Sequence, residues 1–387
     1  MIKKQNNEVL QLLQDLISIE SHIEAPGREE AIGKYLVDWF RARDIHAKRQ
    51  LVEGHRGNVV ARIPGRQGPS LMFNGHLDTV PAGDMESAFV PRIEGNELWG
   101  RGACDMKGAI AAMAVAMVEI KHAMDAGQQI LHGELLFTGT VGEETGSIGV
   151  KALVDGGIKA DYAVVGEPTN LQVGIAHKGA CFIRIELVGR GAHGSRPEEG
   201  VNAVSHAARL IHVLETEFRT RLQNRSHELL GASTVSVGRI CGGTQPNIVA
   251  EHCFVDIDRR TLPNEGDPLA EVQELAAQVL GSVPELSFNV VEMEETSVVP
   301  HVALGTAADT RLAQSAALVC RELNLPNALV GVTYWTDGGH LAANGVETII
   351  LGPGDIADAH GPRDRVQVDE LDLAKQFYFK MATDLLC

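Results

Sequence analysis

The chain has 387 residues, more than one hydrophobic core usually serves, so two domains or one domain with a large insertion are expected. Its 51 acidic residues against 34 Lys and Arg give a formal charge of −17, which opposes binding to nucleic acid or an anionic membrane. With 44% hydrophobic and 22% charged residues the composition is globular and excludes a mainly disordered chain.

In chain order, Val9, Leu10, Leu13, Leu16 and Ile17 fall on one helical face, so the opening stretch reads as an amphipathic helix near 5–19 and not a signal peptide. A second helix is expected near 28–43, then extended segments near 45–52 and 57–63. A buried-type strand at Leu71–Phe73 leads into NGHLDTVP. The glycines of GRGACD mark a tight loop before a helix at Lys107–His122. The longest apolar run, Ala109–Val118, is too short to span a bilayer. Strands at Glu134–Thr140 and Tyr162–Val165 end in GEE and GEP. Apolar strands that each end in glycine plus charge predict an α/β sheet with its site at the strand carboxyl edge.

Between Cys181 and Glu292 the pattern changes. CFIRIELVG alternates as a strand, Val201–Leu222 has helical periodicity, and ASTVSVGRI and HCFVDIDRR are strand-like. DPLAEVQELAAQVL is helical and LSFNVVEME is a strand, which completes a β-α-β-β-α-β, ferredoxin-like order. The α/β pattern then resumes with a helix near 307–323, a strand into YWTDGGHL, a strand at Thr348–Leu351 and a final helix near 369–386. The reading is therefore a catalytic domain in two pieces, residues 1–179 and 294–387, interrupted by an inserted domain at 180–293. The six cysteines lack any CxxC spacing and read as reduced thiols, so a cytoplasmic location is expected.

His76 and Asp78 stand at i and i+2, a spacing that puts both on one face of a strand. His76 can hold a metal while Asp78 supports the ring, although the pair alone reads more readily as a turn with a capping Asp. Asp105 in GACDMKG, Glu143 and Glu144 in GEE, Glu167 in GEP and His360 in AHGP add to them. So many carboxylates at one sheet edge would repel strongly unless a cation held them. Mixed His and carboxylate donors suit zinc, with cobalt or manganese as substitutes, and the group exceeds what one catalytic zinc needs. Two metals plus a base follow.

The segments GHLDTVPAG, GRGACDMKG, TGTVGEETGS, VGEPTNLQVGIAHKG, GRGAHGSRPEEGVNA, GGTQPNIVA and GPGDIADAH resemble, in order, the blocks of the acetylornithine deacetylase / succinyl-diaminopimelate desuccinylase family. That family is related to glutamate carboxypeptidases and aminoacylases. The resemblance implies a zinc-peptidase-like α/β/α catalytic domain with an inserted ferredoxin-like βαββαβ dimerisation (lid) domain. It implies two zinc ions, one on His76 and Glu167, the other on Glu144 and His360, with Asp105 as the bridge. It makes Asp78 the residue that orients His76 and Glu143 the general base, and it implies a cis peptide after Asp105. His193 would serve the partner subunit's site, which implies a homodimer, and Asn247 and Arg259 would bind the substrate carboxylate, with the adjacent Arg260 as the alternative.

Two departures from the family bear on the substrate. Desuccinylases of the family tend to carry GTSDARF where this chain has YWTDGGHL, and the missing arginine favours a deacetylase. After His360, GPRDRV stands where a Glu commonly follows, with Asp364 nearest. The expected substrate is a small N-acyl amino acid such as acetylornithine; a desuccinylase, aminoacylase or dipeptidase is the alternative. A non-catalytic, metal-stabilised binding protein is the reading from another class. Gly189, Gly191 and Gly194 also spell GxGxxG, but Glu198 and Glu199 at the following helix start would repel a pyrophosphate.

Overall fold

The structure is a computed structural model that describes residues 8–293 and 300–387. The expected first turn of the opening helix and the domain boundary at 294 lie outside these residues. The chain forms two compact units: Met1–His177 with Leu304–Cys387, and Lys178–Ala303.

The first unit is built on a nine-stranded mixed sheet. At its centre lie four parallel strands: Leu135–Thr140, Leu71–His76, Tyr162–Val165 and Glu347–Ile350, in that order. Antiparallel Arg56–Ile63 and His46–Glu53 flank one side; Val173–His177, Leu304–Gly305 and Leu329–Val332 lie on the other. Alternation along the central strands buries both faces. Leu71, Phe73, Leu135, Phe137, Val164 and Ile349 enter one core, and Met72, Leu136, Ala163, Val165 and Ile350 enter the other. Each such side chain contributes roughly 1.5–3 kcal/mol when fully buried. Helices therefore cover both faces, which is the α/β/α arrangement.

Helix Gly108–Asp125 is apolar on almost every side because it lies under the outer helices Glu8–Ile17 and Val368–Leu386. Its small residues allow it to press on the sheet: a Cβ on Gly166 would lie 2.7 Å from Ala109 Cβ. The sequence reading missed the strand Val173–His177, the short helices Ile148–Asp155 and Gly338–Ala343, and a small sheet of Arg92–Glu94, Glu97–Trp99 and Arg365–Gln367. Segments of that length carry too few periods to register as a pattern.

The second unit is a four-stranded antiparallel sheet ordered Thr234–Gly242, His252–Thr261, Gly179–Val188, Ser287–Glu292. With its two helical segments in sequence it has the βαββαβ order of a ferredoxin-like unit. Ile183, Ile185, Leu187, Val255 and Ile257 pack against Leu210, Leu214, Phe218, Leu275 and Val279. The first helical segment starts at Ala203, where the Asn202 side chain accepts from the Ser205 amide, and passes through a π-turn at Leu214–Phe218. The second begins at Pro268, with Asp267 accepting from the Leu269 and Ala270 amides. The helix starts well beyond Gly194 and every neighbouring strand is antiparallel, so the GxGxxG segment has no βαβ crossover for a dinucleotide.

Candidate metal centre

Because the four central strands are parallel, their carboxyl ends share one edge, and the segments that leave that edge carry the expected ligands. Leu71–His76 ends on His76 itself; Glu143 and Glu144 follow Thr140, and Glu167 follows Val165. Gly142, with φ +72, turns the chain just before the two glutamates, which lets adjacent residues take different directions. Asp105 lies in an irregular π-turn at Ala103–Lys107, and its peptide to Met106 is cis. His360 stands at φ +61, and its side chain is 53% exposed, the most open of the group.

Asp105 lies between two imidazoles. Its Oδ1 is 2.9 Å from His76 Nε2 and its Oδ2 is 3.1 Å from His360 Nε2. Glu167 Oε1 lies 3.8 Å from His76 Nε2, and Glu144 Oε1 lies 3.0 Å from His360 Nε2. His76, Asp105 and Glu144 can each turn one ligand atom to within 4.8 Å of the others. The Glu143 carboxylate is buried beside this group and makes no hydrogen bond among the described residues.

The electrostatics show why the cluster calls for cations. Burial pushes Glu143 and Glu167 well above the usual carboxylate range, and their carboxylate neighbours push them further. Burial opposes the charged form of His76, yet Glu167, Asp105 and Asp78 outweigh it and hold the ring well above its ordinary value. Hydrogen bonds that His360 donates to Asp105 and Glu144 raise its ring to about 10. Burial also acts against ionised Asp105, but His360 and His76 overcome it and keep this carboxyl below its usual range. The donors thus fall into two His–carboxylate sets that share Asp105. That chemistry fits a pair of divalent cations with mixed nitrogen and oxygen ligands.

Two expectations need correction. Asp78 does not orient His76 through its carboxylate, which lies 3.7 Å from Nδ1. The backbone carbonyl of Asp78 takes the Nδ1–H at 2.9 Å, while its carboxylate accepts the amides of Glu143 (3.2 Å) and Glu144 (3.0 Å). The strand ends at His76, so the same-face rule that linked residues 76 and 78 no longer applies. Asp78 instead ties the loop carrying the two glutamates to the strand carrying His76.

The second correction concerns Arg259, expected to bind a substrate carboxylate. It is fully buried, pairs with Glu265 and Glu271, and donates to the Thr234 and Arg260 carbonyls. Cys253, Val255 and Ile257 point into the core on the same strand, so strand alternation places Arg259 there too. Arg260 faces the open side with its side chain 30% exposed and pairs with Asp258. The structure does bring exposed His193 and Asn247 together: Gly194 donates to the Asn247 carbonyl at 2.7 Å, and His193 bridges Ile248. His193 Nδ1 lies 2.7 Å from Ser195 Oγ.

Asp337 is buried near the candidate cluster, where its charge raises Glu143 and Glu167. It accepts from Thr140 Oγ1 at 2.6 Å, and burial pushes it up to about 6. Thr140 pairs with His76 across the sheet, so Asp337 reaches the site through the strand beside it. Nearby His340 is pushed down to about 4 by burial and stays neutral.

The sequence profile of peptidase family M20/M25/M40 matches residues 72–384. The acetylornithine deacetylase of Myxococcus xanthus is 31% identical over 87% of this chain and 88% of its own. A probable succinyl-diaminopimelate desuccinylase of Staphylococcus epidermidis is 28% identical over 95% of this chain and 94% of its own. Among solved structures, aminopeptidase PepT from Bacillus cereus superposes with a TM-score of 0.80 at 21% identity, covering 98% of each chain. A dinuclear metal-binding peptidase of the M20 family from Bacillus subtilis superposes with a TM-score of 0.71 at 16% identity, covering 98% of this chain and 97% of its own. No helix among the described residues is long and apolar enough to cross a membrane.

Proposed function

We propose, from the premise that this chain belongs to peptidase family M20/M25/M40 and is a hydrolase, that it cleaves the amide bond of a small N-acyl amino acid at a two-metal centre. His76 and Glu167 would hold one cation and Glu144 and His360 the other, with Asp105 shared between the two sets. The observation that carries this reading is the placement of Asp105, one oxygen toward each imidazole, with Glu143 buried and unbonded alongside. Two divalent cations there would supply Lewis acidity toward the scissile carbonyl and toward the attacking water. Zinc is the first choice on donor chemistry, with cobalt and manganese as substitutes.

The chain's own residues supply the rest. Glu143, whose carboxylate is buried beside the cluster and makes no hydrogen bond among the described residues, takes the proton of the attacking water as the ionised base and passes it to the leaving amine. Asp78 keeps Glu143 and Glu144 in register with His76 through their amides. Asn247 and Arg260 bind the carboxylate of the substrate, which in so acidic a chain needs a local cation.

Acetylornithine is the first candidate substrate. The support is the likeness to the Myxococcus deacetylase and the absence of an arginine from the helix Gly338–Ala343 and the residues just before it. The test is a panel of N-acetyl, N-succinyl and N-formyl amino acids and dipeptides assayed with zinc or cobalt. The expected result is the highest kcat/KM on N-acetylornithine. Preference for an N-succinyl substrate, another N-acyl amino acid or a dipeptide would move the reading to desuccinylase, aminoacylase or dipeptidase. No turnover on any of them would favour the non-catalytic binding protein.

His193 serves the site of a second subunit in this reading, so the chain should sediment at twice its own mass. A fully active monomer would remove that role.

A further inference from the structure

The loop that carries Asp105 is held from far along the chain. Asp364, four residues beyond His360 and 1% exposed, accepts the Gly102 amide on Oδ2 at 2.7 Å and the Cys104 amide on Oδ1 at 2.9 Å. Those amides lie just ahead of Asp105, in a segment that Gly102 enters at φ +84. Arg101, also 1% exposed, donates to Asp364 Oδ2 at 3.1 Å. The rest of its guanidinium reaches the carbonyls of Pro81 (3.1 Å), Ala82 (2.9 Å) and Gly361 (3.1 Å). One buried ion pair thus joins three loops: the one after His76, the one bearing Asp105 and the one bearing His360.

A buried ion pair gives little net stability relative to apolar side chains of the same volume, so its contribution is better sought in position. His360 needs such an anchor. It is the most exposed of the proposed ligands, lies in a loop with no strand beneath it, and must meet Asp105 and Glu144 at about 3 Å. His76, by contrast, ends a strand paired on both sides.

We propose that Arg101 and Asp364 are positioning residues that set the register between His360 and Asp105. They thereby control metal affinity chiefly at the position formed by Asp105, Glu144 and His360; the His76–Glu167 position shares Asp105 but draws its other two ligands from the ends of sheet strands. This rests on the two-metal reading above.

The test is a cobalt(II) titration of the metal-free full chain, followed by absorbance and by bound metal per chain, with circular dichroism reporting the fold. Asp364→Asn keeps the size but removes the charge and turns one acceptor oxygen into an NH2 donor facing an amide. One cobalt equivalent should weaken by about 10–100-fold and the other by clearly less. A folded D364N with both affinities unchanged, or with both weakened alike, overturns the proposal. Should D364N fail to fold, the same titration on Asp364→Glu decides. That variant keeps the pair with Arg101 but shifts the carboxylate off the amides, so selective loss of one equivalent supports the proposal and unchanged binding overturns it. A wild-type chain that binds no second metal would instead overturn the two-metal reading, and the positioning role with it.

Discussion

Replacing Glu143 with alanine should lower kcat by about 10²–10⁴-fold, the range over which a positioned proton carrier acts. The variant should still bind two metal ions per chain. The reason is that Glu143 lies beside the proposed ligands and is not one of that set. The Asp78 carboxylate holds the loop through the amides of residues 143 and 144, which truncation of the side chain leaves in place. Glu144 therefore keeps its place at 3.0 Å from His360 Nε2. Metal content and steady-state hydrolysis on one preparation separate the two effects. Near-normal turnover would exclude Glu143 as the base, whereas loss of metal together with rate would make it a ligand.

Removal of the metals should have the other large effect, on activity and on stability. Chelation should abolish hydrolysis, and zinc or cobalt should restore it. The metal-free chain should also lose stability as pH rises from about 4 to about 7, the interval between ordinary carboxylate values and the raised ones here. Burial raises Asp78 to about 7 and Asp337 to about 6, and pushes Glu143 and Glu167 well above their ordinary values. A carboxyl whose pKa rises on folding has its full stabilising share below the unfolded value and loses it as pH climbs through the folded one. His76 and His360 are also raised and act in the same direction, with a window starting above ordinary imidazole values. Asp105 is lowered, so its window lies below about 4 and does not oppose the trend. The metal-loaded protein should show little of this, because cations held beside these carboxylates favour their ionised forms. Thermal unfolding from pH 4 to 8, with and without chelator, measures the difference. Parallel curves would mean that the cluster does not hold metal.

Much of the site was legible because its signals are local. An apolar run ending in glycine and an acid marks a buried strand that leaves the sheet edge, and His76, the Glu143–Glu144 pair and Glu167 all carry that mark. The insertion was equally readable from its change of rhythm between Gly179–Val188 and Ser287–Glu292. Arg259 shows a signal that was present but outweighed: Val255 and Ile257 already implied by alternation that it faces the core. Asp78 shows the limit of such rules, since the strand stops at His76 and the chain turns before its carboxylate is placed.

Short-range periodicity and residue chemistry suffice for the longer elements, the α/β class, the inserted βαββαβ segment and the set of chemically competent side chains. Which oxygen faces which imidazole, the pairing of Arg259 with Glu265 and Glu271, and the approach of Asp337 and Asp364 to the candidate site emerge only in the folded chain. Those outcomes depend on contacts between residues far apart in the chain. Asp364 meets the Cys104 amide across 260 positions, and no local pattern encodes such a meeting. It arises when parallel strands bring their carboxyl ends to one edge and burial forces each charge there to find a partner.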